Sequence, residues 1–336
     1  MGEVVTHGDP HALAASLAPV LSRECRDRLG PIQWFHSTWQ RGGAGTGFAR
    51  WRGEDGREID VLVKLPVGPT EFRWTTQLSS PLPGENGDWS HLPTPKVLAA
   101  GSQLNGYDLA WVVVERLEGQ TLTHGWCKEH LEHLLKAVAL MQARAERIAT
   151  VSGTPPSPDW EALIARSRKI AHDSSLPEAQ LWNEAEKKVQ KHLPKLIARW
   201  GGRPIDAWCH GDVHPGNAMH RRNGIAGHGD PADAAPCVLI DLALVHPGCW
   251  VEDAVYLERQ FWGKPEMLFG VHPVSLLAKY RRELGLRTDG DYGTLANLRR
   301  VLTAACAPAY FVEEGHPRYL HAALETLEKL LPQVAR

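Results

Sequence analysis

One segment in the second half of the chain combines the residue types that phosphoryl-transfer chemistry requires. The segment H-G-D-V-H-P-G-N, at residues 210–217, places Asp212 and Asn217 five residues apart. Its glycines and proline disfavour a regular helix, so we expect a loop that directs both side chains to one place. Phosphoryl transfer needs a carboxylate to orient the attacking hydroxyl and oxygen ligands to hold magnesium (Mg²⁺). Asp212 and Asn217 are candidates for these two tasks.

A second carboxylate, Asp241, directly follows the apolar run C-V-L-I at residues 237–240. Such a run is typical of a buried strand, which would deliver Asp241 to the strand end beside the loop. Asn217 and Asp241 then form a candidate magnesium site. The alternative is that Asp212, Asn217 and Asp241 only stabilise turns, as Asp and Asn often do, and for any one of them alone that interpretation is the simpler one.

Taken together, these motifs resemble the catalytic block of the aminoglycoside phosphotransferase and choline kinase-like family. In that family H-G-D-x-x-x-x-N precedes a strand, then I-D, a glycine and a later aspartate; here the second part reads L-I-D-L-A-L-V-H-P-G-C-W-V-E-D and ends at Asp253. The resemblance implies a kinase-fold small-molecule phosphotransferase that uses Mg²⁺ and ATP or GTP to phosphorylate a small-molecule hydroxyl acceptor. It also implies that Asp212 is catalytic and that Asn217 and Asp241 bind magnesium. Asp253 and His210 would support the catalytic loop.

A lysine in the first half of the chain is the candidate phosphate-binding residue. The run D-V-L-V-K-L, which contains Lys64, resembles the strand that carries this lysine in kinase-like folds. Glu71 follows seven residues later on a possible short helix, where it would pair with Lys64. Glu85 is a competing partner, and a solvated surface role for Glu71 also stays open. For Lys64 itself, the alternative is an ordinary lysine on an edge strand.

Two further segments are candidates for nucleotide contacts. The cluster G-G-A-G-T-G at residues 42–47 lies between presumed strands, where Gly43, Gly45 and Gly47 would present backbone amides to phosphates. Glu115 and Leu117 fall where the family's lobe-connecting segment offers backbone groups to the base. The chain contains no G-x-x-x-x-G-K-[ST] motif, which argues against a P-loop kinase.

The elements that must position these residues change character along the chain. Short β-type runs lie at residues 48–51, 59–63 and 109–114, with helical segments at 11–29 and 70–78. Later, apolar residues at three- and four-residue spacing predict helices at 126–145, at 181–197 and beyond 273, with strand-like pieces at 219–222 and 238–240.

We therefore expect an α+β, bilobal protein-kinase-like fold. Its small, β-rich N-terminal nucleotide-binding lobe would span residues 1–117. A larger C-terminal helical lobe at 118–336 would carry catalysis and substrate binding. Neither an internal repeat nor a low-complexity tail interrupts this plan.

Composition excludes several classes of partner. Among 336 residues, 37 are basic and 39 acidic, so the chain lacks the field that binding to nucleic acid or an anionic membrane requires. The six cysteines form no C-x-x-C pair, which argues against a zinc ribbon or a disulfide framework. No signal peptide or membrane span is indicated, and the N-terminal M-G-E-V-V-T match to a myristoylation signal has no basic neighbourhood. We expect a cytoplasmic protein.

The same residues bear on three alternative functions: a silent binding module, a protein kinase and a zinc site. A catalytically silent kinase-fold binding module is the alternative from another class, although all motif residues are retained. A protein kinase is disfavoured by H-G-D in place of H-R-D and I-D-L in place of D-F-G. His210 and His214 are four residues apart, as zinc ligands on a helix would be, but the glycines and proline there oppose a helix.

The acceptor is the least determined part of the prediction. The family's C-terminal helices supply much of the acceptor site, and a polycationic acceptor would call for an acidic lining there. From Trp250 to the C-terminus, eleven acidic residues face eleven Lys and Arg, so no acidic excess exists. Glu313 and Glu314 are a candidate local clamp, with a surface pair as the alternative. The many Trp and Tyr suit an uncharged or quaternary-ammonium acceptor equally well.

Overall fold

The computed structural model describes residues 10–35, 44–83, 92–173, 176–221, 237–310 and 316–335. Contacts between Cα atoms divide the chain into two compact units. The first unit contains Met1–Thr121 together with Ala218–Val245, and the second contains Leu122–Asn217 with His246–Arg336. The expected lobes, 1–117 and 118–336, stay a prediction about how function is divided.

The first unit is built on a five-stranded sheet whose neighbouring strands are all antiparallel, in the order β1-β2-β3-β5-β4. The strands are β1 (Gln33–Phe35), β2 (Gly45–Arg52), β3 (Glu58–Leu65), β4 (Val97–Gly101) and β5 (Trp111–Glu115). Helix α1 (Pro10–Glu24) precedes the sheet, and α2 (Pro69–Ser79) follows β3. The three β-type runs and the short helix at 70–78 predicted from the sequence are confirmed.

The two faces of this sheet bury different residues because side chains alternate along a strand. On β3, Val61, Val63 and Leu65 are fully buried in a cluster that includes residues of α1. Leu62, on the opposite face, packs in a second cluster with Phe72 of α2. Lys64 shares the parity of Leu62, so the alternation places it on the α2 face. The predicted helix at 11–29 ends earlier, at Glu24, because the next residues include left-handed Arg26 and Asp27 (φ 53° and 54°).

The later segment of the first unit forms a two-stranded ribbon, β7 (Ala218–Met219) with β8 (Val238–Leu239). It is tied to the earlier segment through main-chain contacts, in which the Leu239 amide donates to the Pro93 carbonyl at 2.7 Å and Thr121 bridges to Met219. The strand predicted at 238–240 is confirmed as β8, which is one residue shorter, whereas β7 shares only Met219 with the strand predicted at 219–222. Residues 218–245 thereby belong with the sheet, which the sequence pattern did not indicate.

The second unit is helical. Its helices are α3 (Lys128–Ile148), α4 (Trp160–Asp173), α5 (Ala179–Gly201), α6 (Val251–Gln260), α7 (Pro273–Glu283), α8 (Tyr292–Ala305) and α9 (Pro317–Val334), joined by a short ribbon of β6 (Ala207–Cys209) and β9 (His246–Gly248). The predicted apolar stripe of α3 is buried, including Leu131, Leu134, Val138 and Met141 at 0% exposure. The helix begins at Lys128, two residues later than predicted. Among the described residues, no helix is long and apolar enough to cross a membrane.

Candidate functional site

The catalytic-loop candidate follows a buried strand of the second unit. Strand β6 ends at Cys209, and the chain then runs through residues 210–217, closing with a 3₁₀ turn over Pro215–Asn217. Gly211 has φ +84°, in the left-handed region where a Cβ atom is disfavoured. The glycine of H-G-D therefore has a conformational reason, and the loop predicted from the sequence is confirmed as a non-helical segment.

The carboxylate of Asp212 is held by donors on both of its oxygens. The Tyr256 hydroxyl donates to Oδ1 at 2.5 Å, and the Asn217 amide donates to Oδ2 at 2.8 Å and to the Asp212 carbonyl at 3.0 Å. His214 Nε2 stands 3.6 Å from Oδ2, which is longer than a hydrogen bond. The structure thus brings Asp212 and Asn217 together and adds Tyr256, which sequence reasoning missed.

The ionisation of Asp212 reflects a competition between burial and these contacts. Burial raises its pKa, but the His214 imidazole, the Tyr256 hydroxyl and the Asn217 amide together outweigh burial and lower the pKa to about 2. The carboxylate is therefore ionised at neutral pH, as a group that accepts a proton must be.

Asp253 fixes the backbone of this loop. Its carboxylate accepts from the amides of His210 and Gly211, both at 3.0 Å, and from the Gln142 side chain at 2.9 Å. Gln142 in turn accepts from the buried Arg281 guanidinium at 2.6 Å. These contacts are the ones that loop support by Asp253 requires. The assigned roles of Asp253 and His210 stay predictions.

The predicted magnesium ligands lie in different units. Asn217, in the second unit, donates hydrogen bonds from its side-chain nitrogen to Asp212. Its side-chain carbonyl oxygen is therefore the atom that could bind a cation. Asp241, in the first unit, is exposed with φ +62°, and its side chain makes no hydrogen bond or ion pair to the described residues. An amide oxygen and a carboxylate are hard donors that suit Mg²⁺. Among the described residues, no group of three His, Cys, Asp or Glu could hold a metal ion.

In the first unit, Lys64 and Glu71 form an ion pair. Strand β3 aims the lysine at the α2 face, and Glu71 lies in the first turn of α2, where a carboxylate is favoured by the helix dipole. Both side chains are largely buried, at 22% and 12% exposure. The predicted pairing is present in the geometry. The competitor, Glu85, lies outside the described residues.

The three glycines predicted to contact the nucleotide do not form one loop among the described residues. Gly43 lies outside the described residues, and Gly45 and Gly47 lie within β2 instead of a loop. A Cβ on Gly47 would come within 2.5 Å of Ile32 Cγ2, so close packing against that residue explains the glycine. The expectation that the loop extends to residue 47 was wrong.

The Glu115 carboxylate is already engaged within the first unit. It accepts from the Arg221 guanidinium at 2.7 Å and from the Lys96 amide at 2.9 Å. The Glu115 amide donates to the Lys96 carbonyl at 2.8 Å, so the main-chain carbonyl is the group that Glu115 could offer a nucleotide. Leu117, just beyond β5, makes no backbone hydrogen bond to the described residues.

Each unit also contains a cavity. In the first unit, a pocket of about 520 Å³ is bordered by Pro66 and Gly68 of the β3–α2 connection, by Thr70 and Glu71 at the start of α2, and by Ala44 and Ala243. Glu71 therefore faces both Lys64 and this space. Ala243 lies two residues after Asp241. The cavity is therefore bordered by Glu71, which pairs with Lys64, and by a residue close in sequence to Asp241.

A second cavity, of about 730 Å³, lies in the second unit between α9, the two residues before α5 and the segment 261–268 after α6. Its apolar lining comes from Phe261, Trp262, Pro265, Leu268, Pro317 and Ala322. Phe261 is stacked on Trp126 at 5.5 Å between ring centres, so this wall is fixed. The cavity has the size of a site for a drug-sized molecule.

Charged groups on the rim of this second cavity largely cancel. Glu178 and Glu325 stand with Arg318 and Lys329, and His321 bonds Glu178 at 2.9 Å and approaches Glu325 at 3.5 Å. The hydrogen bond to Glu178 raises the pKa of His321. The local balance agrees with the even charge count of the C-terminal sequence. Glu313 and Glu314, the candidate acidic clamp, lie outside the described residues.

Comparison with known proteins places the chain in a family. The sequence model of the phosphotransferase enzyme family matches residues 38–266, which is more than half of the chain. The chain belongs to the phosphotransferase enzyme family. The match spans Lys64, Asp212 and Asp253, so the resemblance inferred from the motifs is confirmed. A comparison with curated proteins finds no significant match.

Solved structures of phosphotransferases are similar in fold. The aminoglycoside phosphotransferase from Alicyclobacillus acidocaldarius is 16% identical, with a TM-score of 0.52 over 91% of this chain and 93% of that one. The macrolide 2'-phosphotransferase MphH from Brachybacterium faecium is 13% identical, with a TM-score of 0.45 over 94% and 98%. The first likeness confirms the predicted α+β, kinase-like phosphotransferase fold.

Proposed function

We propose that this member of the phosphotransferase enzyme family transfers the γ-phosphoryl group of ATP or GTP to a hydroxyl of a small molecule. The observation that carries the proposal is the Asp212 carboxylate, ionised and held on both oxygens by Tyr256 and Asn217. A fixed, ionised carboxylate is what an attacking hydroxyl needs for orientation and for release of its proton.

In the proposed reaction the acceptor oxygen forms a bond to the γ-phosphorus while the bond from that phosphorus to the β–γ bridging oxygen breaks. A nucleoside diphosphate leaves, and the hydroxyl proton passes to a carboxylate oxygen of Asp212. Each Asp212 oxygen accepts one described hydrogen bond and keeps capacity for the acceptor hydroxyl. Asp253 contributes by holding the amides of His210 and Gly211, which fixes the loop before substrate arrives.

We assign the nucleotide side of the reaction to the first unit. Lys64, oriented by Glu71, would meet the phosphates, and the cavity bordered by Glu71 and Ala243 offers space for them. Asp241 of this unit and Asn217 of the second unit stay the predicted sources of oxygen donors for Mg²⁺, whose charge would offset that of the phosphates. Leu117 would offer its main chain to the base. Glu115 would offer only its carbonyl, because its carboxylate is paired with Arg221 and its amide donates to Lys96.

The acceptor is assigned to the second cavity of the helical unit. Helix α6 carries Tyr256, which touches Asp212, and ends just before Phe261, which lines the cavity; five residues of helix span about 7.5 Å. Aromatic and apolar walls with balanced rim charge favour a hydroxylated acceptor with an extended apolar surface over a polycation. The even charge of the C-terminal sequence supports the same choice.

The test is Mg²⁺-dependent nucleotide consumption by purified protein, alone and with aminoglycosides, macrolides, amino-alcohols and sugars. Asp212→Ala should lower acceptor-stimulated turnover by roughly 10²–10⁴-fold while nucleotide binding is kept. Asp289→Ala, at an exposed aspartate paired with Arg287, is the matched control and should leave turnover unchanged.

Wild-type turnover in the Asp212→Ala variant would refute the catalytic assignment. A wild-type protein that binds no nucleotide in the presence of Mg²⁺ would instead favour the silent binding module. Both outcomes are read from nucleotide affinity, measured by calorimetry, and turnover, measured on the same preparation.

A further inference from the structure

Among the described residues, Tyr256 makes the shortest contact with the proposed catalytic carboxylate. Its hydroxyl donates to Asp212 Oδ1 at 2.5 Å, in the range of strong hydrogen bonds to an ionised oxygen. The other oxygen, Oδ2, receives the Asn217 amide at 2.8 Å. With a donor on each oxygen, the carboxylate cannot rotate about its bond to Cβ without losing both contacts. The plane of the Asp212 carboxylate is therefore set by Tyr256 and Asn217 jointly.

Helix α6 explains why the tyrosine stands there. Tyr256 lies three residues after Asp253, and residues three apart share one face of a helix. Asp253 holds the loop backbone through His210 and Gly211, while Tyr256 holds the Asp212 side chain of the same loop. One helix face thus fixes both the backbone and the carboxylate.

A cation strengthens this donor. The Arg259 guanidinium, three residues further along the same helix, lies over the Tyr256 ring at 5.0 Å from its centre. A positive charge on the ring face favours electron withdrawal from the hydroxyl, which makes the hydroxyl a better donor. Tyr256 and Arg259 therefore act in the same direction on Asp212.

We infer that Tyr256 is a positioning residue for phosphoryl transfer: its hydroxyl fixes the Asp212 carboxylate in the orientation that receives the acceptor hydroxyl. The inference rests on the proposed function, since it acts through Asp212. It adds to that function a residue outside the H-G-D-x-x-x-x-N and I-D motifs. The role depends on the hydroxyl and not on the aromatic ring. The substitution Tyr256→Phe keeps the ring and therefore tests the hydroxyl alone.

The kinetic test is a double-mutant cycle. Tyr256→Phe should lower kcat by about tenfold and leave the KM of the nucleotide unchanged, because a hydrogen bond to a charged group contributes about that factor. In the Asp212→Ala background the same substitution should change kcat less than about twofold, because Tyr256 acts only through Asp212. Tyr292→Phe, a hydroxyl removed from the ring packed on Trp250, should leave kcat unchanged.

Equal losses in both backgrounds, an effect on nucleotide KM alone, or an unchanged kcat would each overturn the inference. Thermal melting of every variant separates these results from a loss of folding.

A second measurement does not depend on turnover. In the proton NMR spectrum, the hydroxyl proton shared by Tyr256 and Asp212 should resonate downfield of the amides, vanish in Tyr256→Phe and persist in Tyr292→Phe. A spectrum in which the signal is absent, or survives Tyr256→Phe, overturns the contact itself. If the wild type lacks turnover while the signal behaves as expected, the proposed function fails and the positioning role fails with it, whereas the contact stands.

Discussion

The catalytic-loop candidate of the second unit, residues 210–217, and the candidate lysine of the first unit, Lys64, are held in opposite ways. Asp253, 43 residues from His210 in the chain, and Gln142, 111 residues from Asp253, anchor the loop. Lys64 is oriented by one ion pair to Glu71, seven residues away. The loop depends on distant parts of the chain, whereas the lysine depends on one strand and the helix after it.

This difference determines how each region should respond to mutation. A loop fixed by several buried hydrogen bonds loses position and stability together when one anchor is removed. A lysine fixed by one partner loses only its orientation when the partner is removed. Substitutions in the two regions test this contrast, and two more probe the proposed acceptor site and a buried glutamate.

Asp253→Asn should have the largest effect. Three donors, the amides of His210 and Gly211 and the side chain of Gln142, converge on the Asp253 carboxylate. An asparagine turns one of its two acceptors into a donor, so at least one donor would face another. We expect kcat to fall by about a hundredfold or more and the free energy of unfolding by about 3 kcal/mol. Turnover assays and urea unfolding measure the two effects.

A companion variant sharpens this prediction. Combining Asp253→Asn with Gln142→Glu lets the new amide donate to a new carboxylate, so part of the lost stability should return. If the free energy of unfolding is no lower in Asp253→Asn than in the surface variant Asp289→Asn, the anchoring of the loop by Asp253 is contradicted.

Lys64→Met should affect nucleotide affinity more than folding. The substitution keeps an unbranched side chain and removes the charge proposed to meet the phosphates, so the KM of the nucleotide should rise about thirtyfold. Glu71→Gln should raise it only a few-fold, because the lysine remains but loses its partner. Lys279→Met, at an exposed lysine beside Glu283, is the matched control. A larger loss from Glu71→Gln than from Lys64→Met would reverse the assignment.

Local contacts were predictable from the sequence, and distant ones were not. Glu71 was found because it follows Lys64 by seven residues on an adjoining helix. Asp253 was found through the spacing of a family motif. Tyr256 carried a weak signal, three residues after Asp253 on one helix face, but nothing in the spacing showed that this face meets Asp212.

The same limit applies to the fold. Strand and helix periodicity predicted β2, β3, β5, α2, α3 and α5, because each buries a face that the sequence displays. The pairing of Arg221 with Glu115, 106 residues away, and the return of residues 218–245 to the first unit depend on contacts that no local pattern encodes. The two cavities likewise arise from side chains distant in sequence.

Trp262→Ala should act on the acceptor alone. The indole lines the second cavity and packs against Tyr319 at 5.8 Å between ring centres. Its removal therefore takes away part of the apolar wall of the proposed acceptor site. We expect the KM of a stimulating acceptor to rise about tenfold with the KM of the nucleotide unchanged. Tyr107→Ala, at a 62% exposed ring of the first unit, controls for loss of an aromatic residue. Equal changes in both KM values would place the acceptor elsewhere.

Glu186→Gln should change stability with pH and leave turnover unaffected. Glu186 is fully buried on α5, and burial raises its pKa from 4.5 to about 8 against the opposing hydrogen bond from Ser167. Its other carboxylate oxygen has no hydrogen-bond partner in the described part of the chain. The folded protein therefore binds the Glu186 proton more tightly than the unfolded chain does.

This difference in proton binding determines the direction in which stability changes with pH. Stability from the protonated Glu186 is fully present below about pH 4.5 and is lost as pH rises to about 8, by an amount on the order of 5 kcal/mol. Glutamine does not ionise, so Glu186→Gln should unfold with a flatter pH dependence over this window, while Glu184→Gln, at an exposed neighbour, should follow the wild type. Since the hydrogen bond described for Glu186 comes from Ser167 of α4 and not from residues 210–217, kcat at pH 7 should be unchanged. A fall in kcat would show that the loop depends on α5 as well as on Asp253, which would widen the set of distant anchors.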